Sequence, residues 1–467
     1  MQSIFEANWQ EHLDDLKTLV RIPSVSFEGF PESEVKRSAE AVATLLKKRG
    51  LENIEILNVE GGTHPYVYAD WLHAPGKPTL LLNAHHDVQP AGREEIWKSK
   101  PFEPTLRDGP GGERLFGRGT ADDKAGVIVH TAAIATWLEK TGKLPVNVKL
   151  VIEGEEEIGS PSLEQFLQKY HQKVQADIMV LTDTGNFDCG VPSITVALRG
   201  LVELGIELRA LDKTIHSGMW GGPVPDSAMA LCKVLAELVD ENGRIAVPEI
   251  WAQVPPLTRE EEEEFKRIPQ TDAEFRKQSG MIPAVKLLKE GPSAIAQTWR
   301  FPSLTVNAFQ ASSRANQGNI INDMAWAKVT IRVSQGMDPE KVSKQLRAFI
   351  EKRIPWGLEA TFESSVATPA WSTDAKGPVY DAALRSLEKG YGHPVVKIGC
   401  GGTIPFVGPF ARVLKGAPAV LIGVEDPYTN AHGENESLLI SDFKKGCISQ
   451  IHLFEELGKL SPGLAGR

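Results

Sequence analysis

Hydrophobic and polar positions along the chain fall into two textures. "TLLLNAHH" (79–86), "VNVKLVIEG" (146–154), "ADIMVLTD" (176–183) and "APAVLIGV" (417–424) are short apolar runs bounded by breakers. That is the pattern of strands buried on both faces of a largely parallel sheet. Helical periodicity fills the intervals. It predicts helices over 34–49 with Gly50 as C-terminal cap, over 124–139 after "ADDK", and over 161–170 with Ser160 as N-cap and Pro161 as first residue. Strands alternating with helices predict an α/β sandwich.

Near residue 192 the texture changes. "SITVALRGLVELGIELRA" (193–210) alternates apolar and polar residues and predicts an antiparallel strand pair. "AWAKVTIRV" (325–333) predicts another strand, and helical patterns cover 226–241 and 338–352. The first texture then resumes with a helix near 379–390. The expected organisation is a mostly parallel α/β domain in two parts, 1–191 and 368–467, interrupted by an α+β module over 192–367. The acidic run "REEEEEFKR" (259–267) reads as a solvated helix face.

Composition narrows the partners. A chain of 467 residues exceeds one ordinary core, which agrees with two domains. The formal net charge of −10 argues against nucleic acid. No run approaches the roughly 18 apolar residues of a membrane span, and the acid-containing "MQSIFEANWQEHLDDLKTLV" does not resemble a signal peptide. Cys189, Cys232, Cys400 and Cys447 are scattered, so a thiolate metal knuckle is excluded and a cytoplasmic location is expected.

The candidate chemistry begins at "NAHHDVQP" (83–90). Side chains alternate on a strand, so His85 and Asp87 share a side and His86 points away. Three readings stand open: a metal ligand with an orienting carboxylate, an acid–base pair, or a polar strand end. "LFGRGTADDKAG" (115–126) puts Asp122 and Asp123 just before a helix, where a carboxylate could bridge two cations or cap the helix. In "IEGEEEIGS" (152–160) three glutamates follow a buried strand and repel one another unless cations or protons offset the charge. Asp183 ends the run in "VLTDTG", and His432 lies in the loop "AHGENE". Ligands of open α/β sheets converge beyond the carboxyl ends of strands, where His85, Glu156, Glu157 and Asp183 fall. Two histidines with several carboxylates suit zinc, manganese or cobalt.

Taken in order, "HHDVQP", "GRGTADDKAG", "EGEEEIGS", "LTDTG", "HSGMWGG", "GGTIP" and "AHGENE" resemble the metallopeptidase family that includes carnosinase, cytosolic nonspecific dipeptidase, carboxypeptidase G, aminoacylase and succinyl-diaminopimelate desuccinylase. The likeness covers essentially the whole chain and leans toward the carnosinase-like dipeptidases. It implies two divalent metal ions, zinc first among them, held by His85, Asp122, Glu157, Asp183 and His432, with Asp122 as the bridge. Asp87 would orient His85, and Glu156 would be the general base of amide hydrolysis. The inserted module would be a lid and homodimer interface. Its His216, Asn319 and Arg332, with Gly402 and Thr403 of "CGGTIP", would contact the substrate, a small peptide or N-acyl amino acid. The family often carries Arg-Glu before "GG(S/T)IP", whereas Gly399 and Cys400 stand here.

Overall fold

The computed structural model of the chain describes residues 1–288, 293–414 and 416–462. Its contacts divide into two units. One comprises Met1–Val196, Thr373–Ile398 and the chain from Ile404 on; the other comprises Ala197–Ser372 with Gly399–Thr403.

The first unit is built on a sheet in which seven of nine described strands run in the order Glu52–Leu57, Tyr66–Trp71, Asn147–Glu153, Thr79–His85, Ile178–Leu181, Ala419–Leu421 and Ser193–Leu198. Thr79–His85 lies parallel to both of its neighbours, Asn147–Glu153 and Ile178–Leu181, and Ala419–Leu421 is parallel to Ile178–Leu181. These central strands are buried almost throughout, as their unbroken apolar runs require. Helix Lys124–Thr141 is apolar on nearly every side, and most of its residues are buried against the sheet and against helix Ile440–Leu457. Its close approach to the strand ends depends on Gly126. A Cβ there would overlap the Asp123 carboxylate and the Thr182 hydroxyl.

The second unit is an antiparallel sheet in the order Ser303–Gln310, Met324–Val333, Gly200–Arg209 and Glu359–Thr368. Alternate side chains, among them Val202, Leu204, Ile206, Val329 and Ile331, form a core with Leu231 and Leu346 of the helices Ser227–Ala236 and Pro339–Glu351. The acidic helix Arg259–Arg267 buries none of its residues.

Two expectations are corrected. The stretch 193–210 is not a strand pair. Ser193–Leu198 pairs with Ala419–Leu421 and Trp371–Ser372, whereas Gly200–Arg209 joins the second sheet. Only Arg199 separates the two strands, and one residue cannot form the two-residue turn a hairpin needs. The helix expected over 161–170 is Leu163–Lys169, with Ser162 at the N-cap position but its hydroxyl donated to Glu155. Ser160 instead donates its hydroxyl to Glu153 at 3.0 Å, which ties it to the end of the preceding strand and delays the helix. Among the described residues no helix is long and apolar enough to cross a membrane.

Replacing Gly126 by Ala should destabilise the protein by about 1–3 kcal/mol through forced overpacking. The melting temperature should fall by a few degrees; an unchanged value would contradict the close approach of this helix to Asp123.

Candidate functional site

The carboxyl ends of the parallel strands bring the site together. Thr79–His85 delivers His85, Asn147–Glu153 runs into the turn Glu156–Ile158, and Ile178–Leu181 leads to Asp183. Asp122 and Asp123 precede helix Lys124–Thr141, and His432 lies in the loop before Ser437–Leu439. Within this unit, the ligand atoms of His85, Asp123 and Asp183 lie within 4.8 Å of one another, as do those of Asp122, Glu157 and His432.

Asp122 links the two groups. Its Oδ1 is 3.0 Å from His85 Nε2 and its Oδ2 is 3.1 Å from His432 Nε2. His85 Nε2 is also 3.7 Å from Asp183, and His432 Nε2 is 3.2 Å from Glu157. A single carboxylate whose two oxygens face two different imidazoles has the geometry of a bridge.

Asp87, fully buried, organises two parts of the site. Its carboxylate accepts hydrogen bonds from the Ser26 hydroxyl at 2.7 Å, from Glu156 N–H at 3.2 Å and from Glu157 N–H at 3.1 Å. It lies 3.4 Å from His85 Nδ1, whose hydrogen-bond partner is the Asp87 carbonyl at 3.1 Å. The same residue therefore fixes the imidazole and the glutamate turn. His86 points elsewhere, as strand alternation requires. Its ring is buried with Nε2 3.3 Å from the Pro65 carbonyl, and burial pushes its pKa down to about 4.

A second buried acid performs the corresponding task for Asp122. The Glu436 carboxylate accepts from Arg118 at 2.7 Å and from the N–H groups of Gly119, Ala121 and Asp122 at 2.9, 3.0 and 3.3 Å.

The electrostatics show a site short of positive charge. Burial pushes Glu157 up to about 7, and the like charge of Asp122 pushes the same way. Burial and then Asp183 raise Glu156 well above the usual carboxylate range. Burial opposes charge on His85, yet Asp122, Asp183 and Asp87 hold its imidazole protonated well above the ordinary histidine value. His432 is raised by Asp122 and Glu157, again against a burial effect. Protons on the two histidines thus stand where cations would balance the acids.

The donor set fits divalent ions. Each group offers one imidazole and two carboxylates, which suits zinc, manganese or cobalt. Three protein ligands in each group match the number that reactive rather than structural sites offer an ion.

Two acids in this cluster have no role in the site read from sequence: Asp123 stands there only as an alternative to Asp122, and Glu425 is not singled out. Asp123, the second acid of "ADDK", occupies the helix N-cap position but does not cap; its Oδ2 accepts the His85 N–H at 3.2 Å. Glu425 follows strand Ala419–Leu421, and burial, then Asp122 and Asp183, raise its pKa. Its place after a fourth parallel strand was the available signal.

The remaining residues singled out from sequence lie in the second unit. His216 is exposed, accepts the Gly218 N–H on Nδ1 at 3.0 Å, and pairs in register with Ile320. Asn319 adjoins it, its carbonyl accepting the Ser217 N–H at 2.9 Å. Arg332 donates through Nη1 to the Thr403 hydroxyl at 2.9 Å, and Thr403 donates to the Arg199 carbonyl at 2.6 Å. Gly402 donates its N–H to the Cys400 sulfur at 3.3 Å. Gly399 stands where the family often has arginine because Trp299 fills the space: a Cβ would lie 2.7 Å from the Trp299 Cβ.

Comparison with known proteins agrees with this geometry. The chain is 30% identical over 385 residues to a cysteinylglycine-S-conjugate dipeptidase of Corynebacterium striatum, covering 82% of each chain. It is 28% identical over 471 residues to a beta-Ala-His dipeptidase of Rattus norvegicus, covering 97% of this chain and 94% of that one. Human carnosine dipeptidase 1 superposes with a TM-score of 0.89 at 27% identity, covering 98% of both chains. The model of peptidase family M20/M25/M40 matches residues 81–456. With most of its length matched, and with a parallel-sheet site of histidines and carboxylates, the chain belongs to peptidase family M20/M25/M40 and is a metallopeptidase.

Proposed function

We propose that the protein is a dipeptidase, a hydrolase of dipeptides or small peptides with a free C-terminal carboxylate that works with two divalent ions. The observation that carries this reading is the pair of three-ligand groups joined by the Asp122 carboxylate. Relatives named as dipeptidases supply the substrate class.

His85, Asp122 and Asp183 would hold one ion, and Asp122, Glu157 and His432 the other, with Asp123 at hand beside His85. Zinc is the first candidate, with manganese and cobalt as alternatives. When bound, such ions lower the pKa of water toward about 7 and polarise a carbonyl. Glu156 is the general base. Its raised proton affinity suits it to take a proton from the attacking water and return it to the leaving amine. Asp87 keeps Glu156 in place through the backbone N–H and holds His85 in the required tautomer. Arg332, steadied by Thr403, receives the substrate carboxylate, and His216, Asn319 and Gly402 contribute further substrate contacts. An N-acyl amino acid carries the same carboxylate, so the deacylase reading is the alternative.

The inserted module serves as lid and homodimer interface in a cytoplasmic enzyme. Support for the interface comes from Ser303–Gln310, an edge strand that exposes Val306 and Phe309 and leaves one row of backbone groups open to pairing. His216, exposed on this module, would reach a neighbouring subunit's site and stabilise the oxyanion there.

Dialysis against a chelator should abolish hydrolysis, and added zinc, manganese or cobalt should restore it; persistent activity in metal-free protein would end the metallopeptidase mechanism. Glu156→Gln should retain bound metal while kcat falls by about 10²- to 10⁴-fold, and near-normal turnover would remove Glu156 as the base. Mixing Glu156→Gln with His216→Ala protein should recover part of the lost activity if His216 acts across a dimer. No recovery after subunit exchange would contradict that arrangement. A panel of dipeptides beside acetylated and succinylated amino acids decides the substrate: turnover confined to the acylated compounds would overturn the dipeptidase reading.

A further inference from the structure

Arg199, the residue that joins the two sheets, is a nearly fully buried cation without a carboxylate partner among the described residues. It is 7% exposed. Its Nε donates to the Gly401 carbonyl at 3.1 Å, and its Nη1 donates to the Phe301 carbonyl and the Ser303 hydroxyl, each at 3.0 Å. Its Nη2 lies against the glycine loop, 3.0 Å from where a Cβ on Gly401 would stand. All these partners are neutral. A buried charge held only by neutral groups remains costly until an opposite charge arrives.

A second guanidinium shares this corner of the unit. Arg332 lies directly across from Ser303 in the sheet, and Ser303 is the residue that accepts from Arg199. Thr403 bonds to both arginines, accepting from Arg332 Nη1 and donating to the Arg199 carbonyl. Burial pushes the Arg199 pKa down to about 10, and the like charge of Arg332 adds to that shift. Glu203 is within electrostatic reach of Arg332 but is engaged by Lys328 at 2.9 Å. Of the five donors on Arg332, only Nη1 has a hydrogen-bond partner among the described residues.

We propose that Arg199 is the second cation of the substrate-carboxylate subsite. Arg332 touches the anion, Thr403 steadies Arg332, and Arg199 stands behind them as a positioning residue. Its guanidinium holds Gly401 and Ser303, its carbonyl holds the Thr403 hydroxyl, and its uncompensated charge favours an arriving carboxylate over a neutral group. The pair makes the free carboxylate strongly preferred over its neutral amide. This proposal rests on the reading of Arg332 as a substrate contact. It adds a residue that the motif around "ALRG" did not reveal, because an arginine at a strand junction reads from sequence as an ordinary linker.

The test is binding rather than turnover. Glu156→Gln protein, loaded with zinc so that hydrolysis is blocked, is titrated calorimetrically with alanyl-alanine and with its C-terminal amide. The acid should bind about tenfold or more tighter than the amide, the range of a charge-assisted contact. Adding Arg199→Met should weaken the acid about tenfold and leave the amide within about twofold. Equal weakening of acid and amide, or no weakening of the acid, overturns the proposal. Arg199→Lys covers the case in which the methionine variant fails to fold. It keeps the charge, so a folded Arg199→Lys protein should retain most of the acid-over-amide ratio. A ratio near one in that variant would show that charge is not the cause and would equally overturn the proposal. Hydrolysis of alanyl-alanine by zinc-loaded wild type is assayed separately. Its absence removes the peptidase reading without touching the acid-over-amide ratio, and loss of the ratio removes the subsite without touching hydrolysis.

Discussion

Mutual repulsion among buried carboxylates is the constraint around which the first unit is organised. Asp122, Asp123, Glu156, Glu157, Asp183 and Glu425 are gathered beyond the ends of parallel strands, where water is scarce and like charges are costly. Two further acids make the gathering possible by acting as acceptors rather than as ligands. Asp87 takes the N–H groups of Glu156 and Glu157, and Glu436 takes those of Gly119, Ala121 and Asp122. Burial opposes charge on Asp87, yet the neighbouring His85 and the Ser26 hydroxyl keep its carboxyl below the usual range. The framework therefore holds the clustered acids in place despite their repulsion, and the remaining imbalance is met by raised proton affinity where no cation is bound.

The second unit shows the opposite imbalance. Arg199 and Arg332 converge on Thr403 and Ser303 with neutral partners, so that corner is short of negative charge. Under the proposed function, a carboxylate is the ligand such a corner would receive.

Much of this was legible in the sequence because the site grows out of strand ends. An apolar run that stops at a histidine, a glutamate or an aspartate marks both the strand and the residue it delivers, and His85, Glu156, Glu157 and Asp183 were readable on that ground. Asp122 and His432 needed the resemblance of their motifs, since a turn and a loop have no periodicity to mark them. Asp123 was hidden by its neighbour: helix capping explains an aspartate in that position, and only the fold shows its carboxylate turned to the His85 N–H. Glu425 was hidden because no motif marks it, although it directly follows the apolar run 417–424 and three residues separate it from the strand itself. The junction at Arg199 defeated pattern reading altogether. Two alternating stretches look like a hairpin, and nothing local reveals that one residue carries the chain from one sheet to another. The Gly399 departure likewise became intelligible only with Trp299 in view.

The central claim is that the carboxylate cluster exists to hold two cations sharing Asp122, and counting bound metal tests it most directly. Equilibrium dialysis of metal-free protein against zinc should give two ions per chain, and Asp122→Asn should lower that number or weaken both sites together, because one carboxylate serves both. A wild-type stoichiometry of one or none, or two ions bound undiminished by Asp122→Asn, would contradict the account.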